Sequence, residues 1–320
     1  MSTRTRIRML VPVAGIVLAA ALLTACAGEA DPSPSGTSDD GVTAITGGAD
    51  AATVFEVTAD DDLAEQAAAI ITDGTLEIAT KAGAPPYEFF EEGDVLRGSD
   101  VDLGYAIAAK LGLKANFSAM EFAGILPAIE AKRYDMSIAG MGDTPVRQEI
   151  VDFVDYSTDS NSIVTTKGNP HGIDGIGSLC GLNVSSVEGS VYLGLLEEQN
   201  KTCEDKMEIT IFQDNANALL QVQTGRADAT MYQTGVALYL IKTDEASANL
   251  EVVDSEEYGK GYNAIAFNKD SADLRDLVQA ALISLQKDGI YEDIHVAWGL
   301  TANMIDEITI NDGLRFNQPS

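Results

Sequence analysis

Ser99-Asp100-Val101-Asp102-Leu103-Gly104-Tyr105-Ala106-Ile107-Ala108-Ala109-Lys110-Leu111-Gly112 is the stretch that decides the fold class. Leu103, Ala106, Ile107 and Leu111 recur at helical spacing and fall on one face, which predicts a helix over 99–111. Ser99 and Asp102 read as a capping box at its start, and Gly112 stops it. Before it, Thr75–Thr80 alternates like a strand after a helix near 62–72. After it come a strand near 114–117, a helix over 122–132 and a strand over 135–139. Strands that alternate with helices of this length imply βα units and a mostly parallel sheet, hence an α/β fold. The pattern then starts again: strand 181–185, helix 190–199, strand 209–212, helix 215–225 and strand 227–231. Two such blocks predict two lobes, and the cleft between them is the natural place for a ligand.

At the other end of the chain, Arg4, Arg6 and Arg8 precede an apolar run from Met9 to Leu23, and Leu23-Thr24-Ala25-Cys26 follows. A basic start, a short apolar stretch and small residues before a cysteine describe a secretory signal. The segment resembles the lipobox of bacterial lipoproteins, which implies cleavage before Cys26 and a lipid on its sulfur. The alternative is a membrane-spanning helix, but the run is shorter than the roughly 20 residues a bilayer needs. Residues 1–25 are thus expected to be a signal peptide. Residues 26–61, rich in Gly, Ser, Thr, Asp and Pro at their start, are expected to be a flexible tether. The protein would then lie outside the cytoplasm, anchored to the membrane through Cys26.

With Cys26 lipidated, Cys180 and Cys203 remain as an even pair in an oxidising compartment and are expected to form a disulfide. Two reduced, buried thiols are the alternative. With only His171 and His295 as imidazoles and no CxxC spacing, a zinc site is not indicated, and no cofactor is implied. Removing residues 1–25 takes away three arginines and no acid, so the charge falls from −30 to −33. Such a chain repels phosphate backbones, which excludes nucleic acid as an expected partner.

An ordered series of segments carries a wider resemblance. It comprises Pro85-Pro86-Tyr87-Glu88-Phe89, Gly98 to Leu103, Gly124-Ile125-Leu126-Pro127-Ala128-Ile129, Ile138-Ala139-Gly140-Met141, Thr144-Pro145-Val146-Arg147, Val151-Asp152-Phe153 and Gly225-Arg226-Ala227-Asp228-Ala229. Gly289-Ile290-Tyr291 and Trp298-Gly299 complete it. Over about residues 76–300 the chain resembles the extracytoplasmic solute-binding proteins of polar amino-acid ABC importers. The resemblance implies a two-lobed type II periplasmic-binding-protein-like fold that closes on a ligand. Lobe 1 would comprise 62–163 and return with 259–320; lobe 2 would be 164–258.

It also implies a set of ligand contacts. Thr144 is a good N-cap, Pro145 suits the first helical position, and Arg147 stands in the first turn, where free backbone N–H groups favour an anion. In the family this arginine grips the ligand carboxylate, and the role is carried to Arg147; a surface ion pair with Glu149 or Asp152 is the alternative. Phe122 matches an aromatic that lies against the ligand, although it also reads as core. Gly140 and Gly142 match a strand-end loop that offers backbone groups, with Gly142 where many members have a hydroxyl. The departures concern the ligand ammonium: Gln233 stands where an aspartate is usual, Lys81 replaces a second acid and Ala84 the usual aromatic. Glu188, in the Glu188-Gly189-Ser190 turn, is placed either to supply the missing charge or to pair with Lys81.

The resulting expectation is a monomeric, non-enzymatic receptor. It would capture an amino acid or related small carboxylate, acidic or polar rather than basic, and deliver it to ABC permease subunits driven by a separate ATPase. A sensory module without a transport role and a cyclic-acid dehydratase are the competing readings.

Overall fold

A computed structural model describes residues 41–91, 93–253 and 257–317. The expected signal peptide and the expected lipidation site, Cys26, lie outside the described residues. The chain opens with a hairpin, β1 (Val42–Gly47) and β2 (Thr53–Thr58), paired antiparallel from Val42 opposite Thr58 to Gly47 opposite Thr53. This corrects the tether expected to run to residue 61. Its composition is poor in large apolar residues, but it alternates with period two and buries Ile45, Phe55 and Val57 on one side.

Helix α1 (Asp61–Ile70) follows, capped by the Asp60 side chain, which accepts from the Leu63 amide. Then come β3 (Thr75–Thr80), the short hairpin β4 (Phe89–Glu91) and β5 (Val95–Arg97), and α2 (Ser99–Lys110). The capping box expected in α2 does not form. Gly98 is the N-cap, because a side chain there would collide with the Tyr87 carbonyl: a β-carbon would stand 1.9 Å from that oxygen. Asp102 serves instead as a buried staple, accepting from the Gly48 amide (2.9 Å) and the Trp298 indole N–H (2.7 Å). It ties the hairpin and the end of the last helix to α2.

The first block closes with β6 (Lys114–Ala119), α3 (Phe122–Glu130) and β7 (Met136–Ser137), and a single-turn helix α4 (Pro145–Gln148) leads into β8 (Val151–Thr166). The second block is β9 (Asn183–Val187), α5 (Val191–Thr202), β10 (Glu208–Phe212), α6 (Asn215–Gln223), β11 (Ala229–Gln233), α7 (Thr234–Thr243) and β12 (Leu250–Val252). Strand β13 (Tyr258–Asn268) returns the chain to helices α8 (Ala272–Lys287) and α9 (Ile290–Ala297).

Two long strands join the blocks. β8 pairs with β13 antiparallel through most of its length, while its far end pairs with β11 and β12. β13 in turn pairs with β7, which lies beside β3 and β6 in parallel. The strand order β10-β9-β11-β8-β13-β7-β3-β6 therefore runs from one block to the other through β8 and β13. This is the two-lobed type II fold. The largest apolar cluster, with Leu76, Ile107 and Leu282, also takes in Leu219, Val222 and Val236 of the second block, and a separate cluster in that block contains Val184, Leu196 and Met231.

Cys180 and Cys203 form the expected disulfide, with Cα atoms 5.5 Å apart. It ties the C-cap of α5 to the segment just before β9.

Candidate ligand cleft

A cavity of about 290 Å³ lies where the two blocks face each other across β8 and β13. Lys81, Phe122, Gly140, Gly142, Thr144, Arg147 and Gln233, all named from sequence, line it. They arrive from the ends of β3, β7 and β11 and from the starts of α3 and α4. Strand and helix ends meet at such a cleft because the βα units point their carboxyl ends toward it.

Arg147 is placed as its local sequence implies. Thr144 Oγ1 accepts from the Arg147 amide at 3.4 Å, and Pro145 occupies the first helical position. The guanidinium is buried; it donates to the Gly142 carbonyl at 2.7 Å and, from the other lobe, to the Gly189 carbonyl at 2.9 Å. It pairs with no carboxylate among the described residues, and Asp152 is taken instead by Arg275 at 2.7 Å. Burial lowers its pKa to about 10, which leaves it charged at neutral pH. Phe122 is half-buried and sits between two cations of the cavity, its ring centre 5.5 Å from the Arg147 guanidinium and 4.9 Å from the Lys81 ammonium.

A family profile described as bacterial extracellular solute-binding proteins, family 3, matches residues 76–301. The chain belongs to that family. A putative ABC transporter arginine-binding protein 2 of Escherichia coli K12 is 28% identical over 229 residues, covering 70% of this chain and 90% of that protein. The arginine-binding extracellular protein ArtP of Bacillus subtilis is 30% identical over 228 residues, with coverages of 70% and 85%. Among solved structures, an ancestral arginine-binding protein bound to arginine superposes with a TM-score of 0.66 at 34% identity, covering 70% of this chain and 98% of that one.

Within this family member the cleft departs from the sequence expectation at four points. Glu188 does not line the cavity: it is exposed and accepts from the Gln213 side chain. Nor does it meet Lys81, whose ammonium lies 3.3 Å from the fully buried Glu88 carboxyl and 3.4 Å from Gln233 Oε1. Gly189 contributes its carbonyl to Arg147 rather than a contact to the cavity. Gly140 does not direct its N–H into the cavity either, because that group donates to Asp100 Oδ2 at 2.8 Å while its carbonyl accepts from Gln233 Nε2 at 3.2 Å.

The Lys81–Glu88 pair belongs to a buried cluster. Asp100 also accepts from the Tyr156 hydroxyl at 2.7 Å. Burial raises the Glu88 carboxyl well above the ordinary carboxylate range, against the pull of the Lys81 ammonium, and Asp100 beside it adds to the rise. The cations Arg147 and Lys81 thus face a cavity that Asp143, Asp159 and Asp214 also line.

Asp159, Asp214 and Tyr262 were not singled out from sequence, and all three line the cavity. Asp159 lies on β8 and accepts from the Tyr87 hydroxyl (2.7 Å) and the Ser160 amide (2.8 Å); burial raises its pKa to about 6 despite those bonds. Asp214 caps α6 through the Asn217 amide at 2.7 Å. The available signal was the polar run Ser157-Thr158-Asp159-Ser160-Asn161-Ser162 inside a strand otherwise buried as core, since buried polar groups in a crossing strand need partners or a cavity.

Proposed function

We propose that this protein is the substrate receptor of an ABC importer, tethered outside the cell through a lipid on Cys26. It captures an amino acid or related small carboxylate and presents it to a membrane permease powered by a separate ATPase. The observation that carries this reading is the buried Arg147 guanidinium, held at a helix start and lining the cavity without a carboxylate partner among the described residues. A planar fork of N–H donors in a water-poor site matches a carboxylate in bidentate fashion. Solute enters the open cleft, its carboxylate engages Arg147, and closure latches the lobes through Gln233 to Gly140 and Arg147 to Gly189. No bond is made or broken, and one copy of the chain suffices. The lobe limits follow the crossings, with residues 164–258 forming the second lobe.

The side group is acidic or polar rather than basic. Lys81 presents a cation to the cavity beside the neutral Gln233, and a cationic side chain brought close to it in a poorly solvated site is repelled by up to a few kcal/mol. The ligand ammonium is met by Asp159, which the cleft supplies in place of Glu188. Isothermal titration against the proteinogenic amino acids and simple dicarboxylates tests both parts. Arg147→Ala should lose at least tenfold in affinity with an unchanged circular dichroism spectrum. Unaltered affinity removes the clamp, and tight binding of arginine or lysine removes the charge preference.

A further inference from the structure

The family match stops at residue 301, but the described residues beyond it continue along the crossing strand and reach the cavity at Gly313 and Phe316. Its path is built rather than loose. The Asp155 amide donates to the Thr309 carbonyl at 2.9 Å, and the Phe153 amide donates to Asn311 Oδ1 at 2.8 Å. The Gly313 amide then donates to Asp143 Oδ2 at 2.8 Å, at a contact so close that a β-carbon on Gly313 would stand 2.4 Å from the Asp143 carbonyl oxygen. Beyond it Arg315 donates to the Tyr262 hydroxyl at 3.0 Å, and the Phe316 ring meets Tyr262 edge-on with centres 4.8 Å apart. Gly313 and Phe316 form part of the cavity wall, beside the loop that carries Thr144 and Arg147.

We infer that this C-terminal strap is a working wall of the binding cleft and that Phe316 is a selectivity residue, limiting the side group that fits beside the Arg147 clamp. The strap is anchored at 143 and 153–155, on the same lobe as the clamp, so Phe316 keeps its place relative to Arg147. Its half-buried ring, held edge-on by Tyr262, is a rigid apolar surface with few rotamers to lose. Relatives matched only as far as the strap's start would share the clamp and differ in the wall.

The inference rests on the amino-acid reading, and its test separates the two. Wild type, Phe316→Ala and Phe316→Leu are titrated calorimetrically against the twenty proteinogenic amino acids, with thermal melts run in the same buffer. Phe316→Ala is expected to shift the affinity ratio between the best ligand and one with a larger side group by tenfold or more. Arg147→Ala, by contrast, weakens all ligands together. Phe316→Leu keeps an apolar contact to Tyr262 with a different outline and is read in the same way if the alanine variant fails to fold. A wild type that binds while both variants keep its rank order and every affinity within twofold overturns the inference alone. A wild type that binds none of the twenty overturns the amino-acid reading and the selectivity role with it.

Discussion

Asp102→Asn should be more stable than wild type at neutral pH and lose that advantage in acid, where the unmet amide donor leaves it no better or slightly worse. Asp102 is 1% exposed, and burial raises its pKa to about 6 even though the Gly48 amide and the Trp298 indole both donate to it. Both bonds go to Oδ2, while Oδ1 is buried with no hydrogen-bond partner. A folded pKa above the ordinary 3.8 means that the folded state binds more protons than the unfolded state between those values. The stabilisation is therefore fully present below about pH 4 and is lost as pH rises through 6. Two pKa units correspond to about 2.5 to 3 kcal/mol. In the asparagine variant the amide oxygen takes over the acceptor role and nothing ionises, although its NH2 group enters the site of Oδ1 and costs about 1 kcal/mol or more as an unmet donor. The decisive quantity is the difference in unfolding free energy, variant minus wild type, from urea titrations at pH 4.5, 6 and 8. It should grow by about 2 kcal/mol in favour of the variant over that range. A difference independent of pH would refute the argument, because every other ionising group is common to both proteins.

Two further outcomes follow from the structure. Replacing Cys180 and Cys203 together by serine should lower stability by about 3 kcal/mol, since the bridge closes a loop with a sequence separation of 23; a urea midpoint that does not move would show that the unfolded chain is not constrained by it. Glu88→Gln should leave ligand affinity at pH 7 within about twofold, because burial raises that carboxyl well above the ordinary range, which favours the neutral form, and an amide is its isostere; a tenfold change in calorimetric titration would show that Glu88 carries the charge that balances Lys81.

The periodic parts of this fold were readable because burial and periodicity coincide there. α2 is expected over 99–111 and found over Ser99–Lys110, and the strand at Thr75–Thr80 has the same limits in both. The hairpin over 42–58 was hidden because its buried face includes Thr43 and glycine among Ile45, Phe55 and Val57, so composition spoke for a tether while alternation spoke for strands. At the cleft, Arg147 was legible from a local motif, Thr-Pro-Val-Arg, whose capping and charge act within four residues. Lys81's partner was not. Its separation in sequence from Glu88 is small, but the ion pair depends on the turn Ala84 to Glu88 folding back, where the Ala84 amide donates to the Glu88 carbonyl at 2.9 Å. Glu188 failed for the opposite reason: the turn was placed near the cleft, but nothing local dictated that its exposed side chain would accept from Gln213, which lines the cavity in its place.

The acidic excess of this chain divides into two populations with different consequences for the ligand. Its 50 acids are offset by only 20 basic residues, and most of them give the surface a strong negative charge. A handful are buried and used as acceptors: Asp100 for the Gly140 amide, Asp102 for the hairpin, Asp143 and Asp155 for the strap. Burial raises the pKa of Asp100, Asp102 and Asp155, which reduces the anionic charge they hold close to the cavity. Arg147 donates to backbone carbonyls and pairs with no carboxylate among the described residues, although Asp143, Asp159 and Asp214 also line the cavity, and repulsion from distant surface acids fades beyond about 8 Å at physiological ionic strength. An anionic group that reaches Arg147 therefore meets local attraction inside a molecule whose net charge of −30 would, taken alone, argue against binding it. The sign of the whole chain is a poor guide to the sign felt at Arg147, whose guanidinium is held by backbone carbonyls and left free of a carboxylate among the described residues.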